Sequence, residues 1–133
     1  ADRIRMVVNI DQIGGTSSRL KSGRKDFIIM LGRDKVGKKY ADLLSWCDSR
    51  YSIDLELGFD YFGSKEFTDV FYRRVCDQKV FVENGVPAVL FTSGITMNNN
   101  KPHDNAASLD MGVFKKRIWL IFHWIEEILK NYD

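Results

Sequence analysis

The chain has 133 residues, 44% hydrophobic and 29% charged, which bounds it to a single soluble domain with a small core. A formal net charge of +2, with no basic stripe interleaved with aromatics, excludes a nucleic-acid-binding surface. The longest apolar stretch, Ile118 to Ile125, is interrupted by His123 and too short to span a bilayer, and no signal-peptide core opens the chain.

In chain order, the first expected element is a strand over Arg5 to Ile10. The run Val7-Val8-Asn9-Ile10 reads as a buried, central strand that delivers the carboxylate of Asp11 to its C-terminal end. A central strand with almost nothing before it is expected of a processed or truncated piece. A polar loop from Gly14 to Lys25 follows, then a second strand, Asp26 to Leu31. Val36, Tyr40, Leu43, Leu44 and Cys47 recur at spacings of three and four, which predicts a helix from Val36 to Asp48 packed on the sheet. Tyr51 to Leu57 alternates Ile53, Leu55 and Leu57 against polar residues, the period of a strand near a sheet edge.

Ser64 is the expected N-cap of a helix carrying Phe67, Val70 and Phe71, and a shorter helical turn from Asp77 closes at Asn84-Gly85. Pro87 opens a strand, Ala88 to Thr92. A loop rich in Asn, Ser and Gly runs from Ser93 to Ala107. A final helix from about Ser108 to Lys130 is expected to bury Val113, Ile118, Ile121, Phe122, Ile125, Ile128 and Leu129. Strands separated by helices predict an α/β sandwich, with no repeat, linker or second domain.

Three constellations bear chemistry. Gly32-Arg33-Asp34-Lys35-Val36-Gly37-Lys38-Lys39 nearly matches the phosphate-cradling G-x-x-x-x-G-K-[ST], but Lys39 stands where a hydroxyl must hold magnesium, so a basic solvated turn is the expectation. Asp11, before Gln12-Ile13-Gly14-Gly15, is open to two readings, a metal ligand or a turn former capping local amides. His103, in Asn98-Asn99-Asn100-Lys101-Pro102-His103-Asp104, is likewise either a ligand or a solvated loop residue, and His123 is expected in the core or an interface. Cys47 and Cys76 have neither C-x-x-C spacing nor a disulfide-dense pattern, leaving one bridge and two free thiols both open.

Taken together, three blocks resemble the co-catalytic zinc aminopeptidases, the family of bacterial leucyl aminopeptidases, glutamate carboxypeptidase and the glutaminyl cyclases. Val7 to Gly14 looks like that family's V-N-x-D-M-I-G strand. Cys76-Asp77-Gln78, Phe81 and Glu83 to Phe91 are similar to its S-D-H-x-x-F-x-x-x-G-I-P-x-x-x-F. Lys101 to Asp104, leading to Leu109 and Asp110, resembles its Y-H-x-P-x-D-T-x-D-K-I.

The resemblance implies a three-layer α/β/α sandwich with a mostly parallel or mixed sheet, of which residues 1–133 form a single partial domain, the C-terminal half. It implies part of a zinc-dependent aminopeptidase-like hydrolase that cleaves N-terminal residues from peptides, with Asp11 and His103 as metal ligands, Gly85 to Gly94 shaping a pocket wall, and a periplasmic or extracellular location. Asn100 stands where the family has its last histidine ligand, and a neutral amide is a poor zinc ligand. A two-zinc centre needs about five protein ligands, so this chain alone is not expected to be catalytically complete. The other reading is a non-catalytic binding or structural domain of the same fold, and glutaminyl cyclase chemistry is a third variant. An upstream half-domain or a homo-oligomer is expected to cover the exposed sheet edge.

Overall fold

The computed structural model describes residues 4–10, 12–15, 20–74, 83–94 and 110–131. Its elements are β1 (Val7–Ile10), β2 (Phe27–Leu31), α1 (Arg33–Val36), α2 (Lys38–Arg50), β3 (Glu56–Gly58), α3 (Lys65–Arg74), β4 (Ala88–Thr92) and α4 (Met111–Asn131). Four strands form one mixed sheet in the order β1-β4-β2-β3. β1 runs parallel to β4 and β3 parallel to β2, while β2 and β4 are antiparallel. The α/β class expected from alternating strands and helices is therefore the observed one.

β2 and β4 occupy the middle of the sheet because they are apolar at every position but the last of β4: Phe27 to Leu31 and Ala88 to Thr92 are all buried, and Thr92 alone is polar. Alternate residues feed two cores. Ile28, Met30, Val89 and Phe91 pack under α2 and α4 with Leu44, Cys47, Leu120, Ile121 and Trp124. Phe27, Ile29, Leu31 and Leu90 face the other way, against Leu20, Tyr61 and Phe62.

Three expectations are corrected. The Asp11 strand is not central: among the described residues β1 pairs with β4 alone, lies at the sheet edge and is only partly buried, with Ile10 46% exposed. Its apolar run looked central because apolarity on both faces also suits an edge strand whose outer side is open to a partner. The strand expected over Tyr51 to Leu57 shortens to β3. Ser52 and Asp54 take φ of 53° and 65°, and left-handed residues cannot continue an extended chain, although Ile53 and Leu55 still alternate into the core. On α4 the buried face is Val113, Arg117, Leu120, Ile121 and Trp124, while Ile118, Phe122 and Leu129 stand exposed.

The other helices follow their sequence signals. Ser64 caps α3, its Oγ accepting from the Phe67 amide at 3.2 Å. Ala41, Leu43, Leu44 and Cys47 of α2 are buried, as the stripe requires. Gly37 divides α1 from α2 at φ 104°, a backbone open to glycine but strained for other residues. Cys47 is a buried free thiol, pushed up to about 11 by desolvation, which makes it a poor nucleophile. Among the described residues no helix is long and apolar enough to cross a membrane.

A surface network ties the start of β2 to the loop before β3. Arg24 makes a two-pronged contact with Asp26, Nε to Oδ1 at 2.9 Å and Nη2 to Oδ2 at 2.8 Å, and also donates to the Asp54 carbonyl at 3.0 Å. Lys116 adds a second cation 3.6 Å from Asp26. Arg24 chiefly, with Lys116 assisting, holds the Asp26 carboxyl down at about 2. Because its folded value lies below the unfolded one, near 3.9, the stabilisation is complete above that value and disappears as pH falls through about 2. Urea melts of the wild type and Asp26→Asn are expected to differ above about pH 5 and to converge towards about pH 2. A gap independent of pH would show that Asp26 acts without its charge.

Candidate functional site

Because β1 and β4 are parallel and in register from Val7 with Ala88 to Ile10 with Phe91, both chains leave the sheet at the same end. The C-terminal ends of parallel strands are where α/β sheets build ligand crevices. Asp11 follows Ile10 at this end, and the segment holding Asn100 and His103 leaves β4 here and returns at Asp110. Asp11, Asn100, His103 and Cys76 lie outside the described residues, as do residues 77–82 of the turn expected from Asp77, whose end at Gly85 takes φ 80°; the described residues nearest the candidate ligands are Ile10 and Gln12 for Asp11, and Gly94 and Asp110 for His103.

Those flanks are bound to one another. Gln12, in a left-handed conformation at φ 60°, turns the chain and points its carbonyl at Ser93, accepting from the Ser93 amide at 2.9 Å and its Oγ at 2.8 Å. The Ser93 hydroxyl also reaches the Gly15 carbonyl, and with one proton it serves these two acceptors in turn. Ser93 is fully buried, so this bond is shielded from water. Thr92 completes the corner by accepting from the Gly94 amide through Oγ1 at 3.0 Å.

The far end of the 95–109 segment is fastened to the same loop. The Asp110 amide donates to the Gly14 carbonyl at 3.4 Å, and its Oδ1 caps α4 by accepting from the Val113 amide at 3.2 Å. Its Oδ2 lies 2.8 Å from Lys25 Nζ, and this contact, with the helix amides, lowers its pKa.

Beneath the loop sits Arg117, projected from α4 into the interior and wholly inaccessible to solvent. Its Nε donates to the Phe27 carbonyl at 2.7 Å, Nη1 to Ile13 and Gly15 at 2.9 and 3.1 Å, and Nη2 to Lys25 at 3.1 Å. One planar fork thus joins α4, the start of β2 and the loop after Asp11. Burial pushes the guanidinium down to about 10, which still leaves it charged at neutral pH. A fixed cation under residues 13–15 makes this end of the sheet favourable to anionic groups.

The remaining candidates lie elsewhere. His123 is stacked on Tyr51 with centroids 3.7 Å apart, accepts the Trp119 indole N–H at Nε2, and has Nδ1 3.5 Å from Glu126. With Nε2 committed to an indole, it is a packing histidine, as the sequence reading held. The glycine-rich segment is not a phosphate cradle, since it is interrupted by the single turn of α1 and a kink at Gly37. The open depression beside it, about 480 Å³, is lined by Asp34 and Asp42 as well as Arg33 and Lys38. Among the described residues no group of three His, Cys, Asp or Glu side chains converges on a metal position.

Ser93 and Arg117 have no functional part in the sequence analysis, and Asp110 enters it only within the third matched block, not as the cap of α4. Asp110 carried a signal, an acid three residues before the first buried position of an apolar helix. Arg117 carried another, a cation flanked at helical spacing by Val113, Leu120 and Ile121. What these observations define is an α/β domain in which the loop after β1 is hydrogen-bonded to both ends of the segment between β4 and α4, at the end of a parallel strand pair. No family model matches the chain, and no curated protein matches it.

Proposed function

We propose that this chain forms one wall of a zinc-dependent, aminopeptidase-like hydrolase site on a three-layer α/β/α domain, with Asp11 as carboxylate ligand and His103 as imidazole ligand. The observation that carries this reading is the cross-bonding of Gln12 to Ser93 and Gly14 to Asp110, which fastens both ends of the segment that holds His103 to the loop that follows Asp11. The three sequence blocks add the zinc and the peptide substrate. A carboxylate and an imidazole are the donor types zinc takes, but two donors fall short of the three or four protein ligands that hold it. Zinc, when bound, polarises a scissile carbonyl and lowers the pKa of water. This chain's own residues tie the loop in place, Ser93 by its bonds to Gln12 and Gly15 and Arg117 by its bonds to Ile13 and Gly15. The ligand set is completed only by another segment or polypeptide, so hydrolysis by these 133 residues alone is not expected.

Asn100 favours a second reading, a peptide-binding domain of the same fold without metal, since a neutral amide replaces a ligand. Elemental analysis after zinc incubation separates the two. The first expects weak uptake, approaching one zinc per chain at about 100 μM metal and lost in both Asp11→Ala and His103→Ala. No uptake, or uptake indifferent to both substitutions, would favour the metal-free reading. Turnover of aminoacyl chromogenic substrates by the chain alone would overturn the claim that its site is incomplete.

A further inference from the structure

α4 carries a second apolar stripe besides the face that covers the sheet. Met111, Ile118, Phe122 and Leu129 are 55%, 46%, 59% and 62% exposed, and Trp119 on their flank is 60% exposed. At about 100° per residue the stripe lies roughly 135° round the helix from the buried face of Val113, Arg117, Leu120, Ile121 and Trp124, so it points away from the sheet. With Lys115 and Ile125 between them, these residues take successive d and a places of a heptad: Met111, Ile118 and Ile125 at d, Lys115, Phe122 and Leu129 at a. That is the seam by which one long helix packs along another.

The occupant that fits this seam is the same helix of a second copy. Met111, Ile118, Phe122 and Leu129 are spaced by seven, four and seven, an order that reads the same in both directions. A two-fold axis at the level of Leu120 therefore sets Met111 against Leu129 of the mate and Ile118 against its Phe122, each twice, as a self-complementary contact requires. Charge selects the direction. A parallel pair would set Lys115 against itself inside the seam, whereas the antiparallel pair brings it level with Ile125 and Glu126 of the mate, a cation against an anion on both sides of the axis. Lys115 has no ion-pair partner among the described residues, and the Glu126 side chain is 36% exposed. At roughly 200 Å² per large side chain, the exposed parts of the four stripe residues and Trp119 amount to roughly 1,100 Å² for two copies, the lower end of specific interfaces and the size of a micromolar dimer. An acid on the flank of the stripe opposes the other occupant such a helix could take, an anionic lipid surface.

We infer that this chain forms a two-fold dimer through an antiparallel seam of α4 on α4, made by Met111, Ile118, Phe122 and Leu129. The contact involves α4 alone and is independent of the zinc reading. Sedimentation equilibrium is expected to give a dimer with a dissociation constant of about 10 μM. Ile118→Glu with Phe122→Glu is expected to leave a monomer with an unchanged circular dichroism spectrum. Lys115→Glu and Glu126→Lys are each expected to weaken self-association about tenfold, and the two variants mixed together are expected to associate as the wild type does, since each then meets the opposite charge on its mate. The two positions lie 11 residues apart on one helix, about 16 Å, so that recovery cannot arise within a chain. A monomer at about 200 μM, a dimer indifferent to the two glutamates, a mixture that associates no better than its parts, or a monomer that instead binds anionic phosphatidylserine vesicles would each overturn the proposal.

Discussion

Replacing Arg117 with methionine is expected to lower the stability of the fold by about 4 kcal/mol. Two opposed effects set that figure. Holding a guanidinium in the interior is unfavourable, and the fall of its pKa to about 10 corresponds to about 3 kcal/mol at 1.4 kcal/mol per unit. Against this stand four bonds from a charged donor, to the carbonyls of Phe27, Ile13, Gly15 and Lys25, each worth about 1.5 to 3 kcal/mol. The bonds win. Methionine, moreover, leaves the inner carbonyls without donors in a space water does not reach, so the desolvation relieved at the guanidinium reappears at the backbone. Lysine keeps the charge but not the fork, and Arg117→Lys is expected to recover less than half of the loss. Urea unfolding gives the energies, and amide exchange at residues 12–15 is expected to accelerate in both variants. A loss below about 1 kcal/mol for methionine would show that the loop after Asp11 is held by something else.

Trp124→Ala is expected to be as damaging, again about 4 kcal/mol. The indole is wholly buried and joins three elements: it meets Phe91 of β4 edge to face at 5.1 Å, Tyr40 of α2 at 6.5 Å, and donates from Nε1 to the Tyr40 carbonyl at 2.9 Å. Alanine removes the largest side chain of the core and leaves a cavity where α2, α4 and the sheet converge, together with an unpaired carbonyl. Since domains of this size are stable by about 5 to 15 kcal/mol, the variant should melt roughly 15 °C lower and sit near the threshold of folding. Trp124→Phe retains most of the apolar volume, loses the donor, and is expected to fall in between. Equal stability of the phenylalanine and alanine variants would mean that the lost hydrogen bond, not the cavity, dominates.

The sequence disclosed what depends on local pattern. The α2 stripe, the Ser64 cap, the β4 strand and the existence of β1 all follow from periodicity and capping chemistry within a few residues. It did not disclose what depends on distant partners. Whether Val7 to Ile10 lies at the centre or the edge of a sheet is decided by strand order, to which an apolar run is blind. Which flank of α4 is covered was hidden because both are apolar, and the charge on Arg117 disqualified a core position that four carbonyls in fact satisfy. The candidate site divides in the same way. Asp11 and His103 stand out by chemical type, whereas the joints that fasten the ends of the 95–109 segment to the loop after β1, Ser93 to Gln12 and Asp110 to Gly14, span 81 and 96 positions and have no local signature.

Amide chemical shifts during a zinc titration test most directly whether the two loops form one crevice. Gln12 to Gly15, Ser93, Gly94 and Asp110 are expected to shift together along a single binding curve, and Asp11→Ala is expected to abolish all of these shifts at once. Shifts confined to one loop, or centred on His123 and Glu126, would contradict the account.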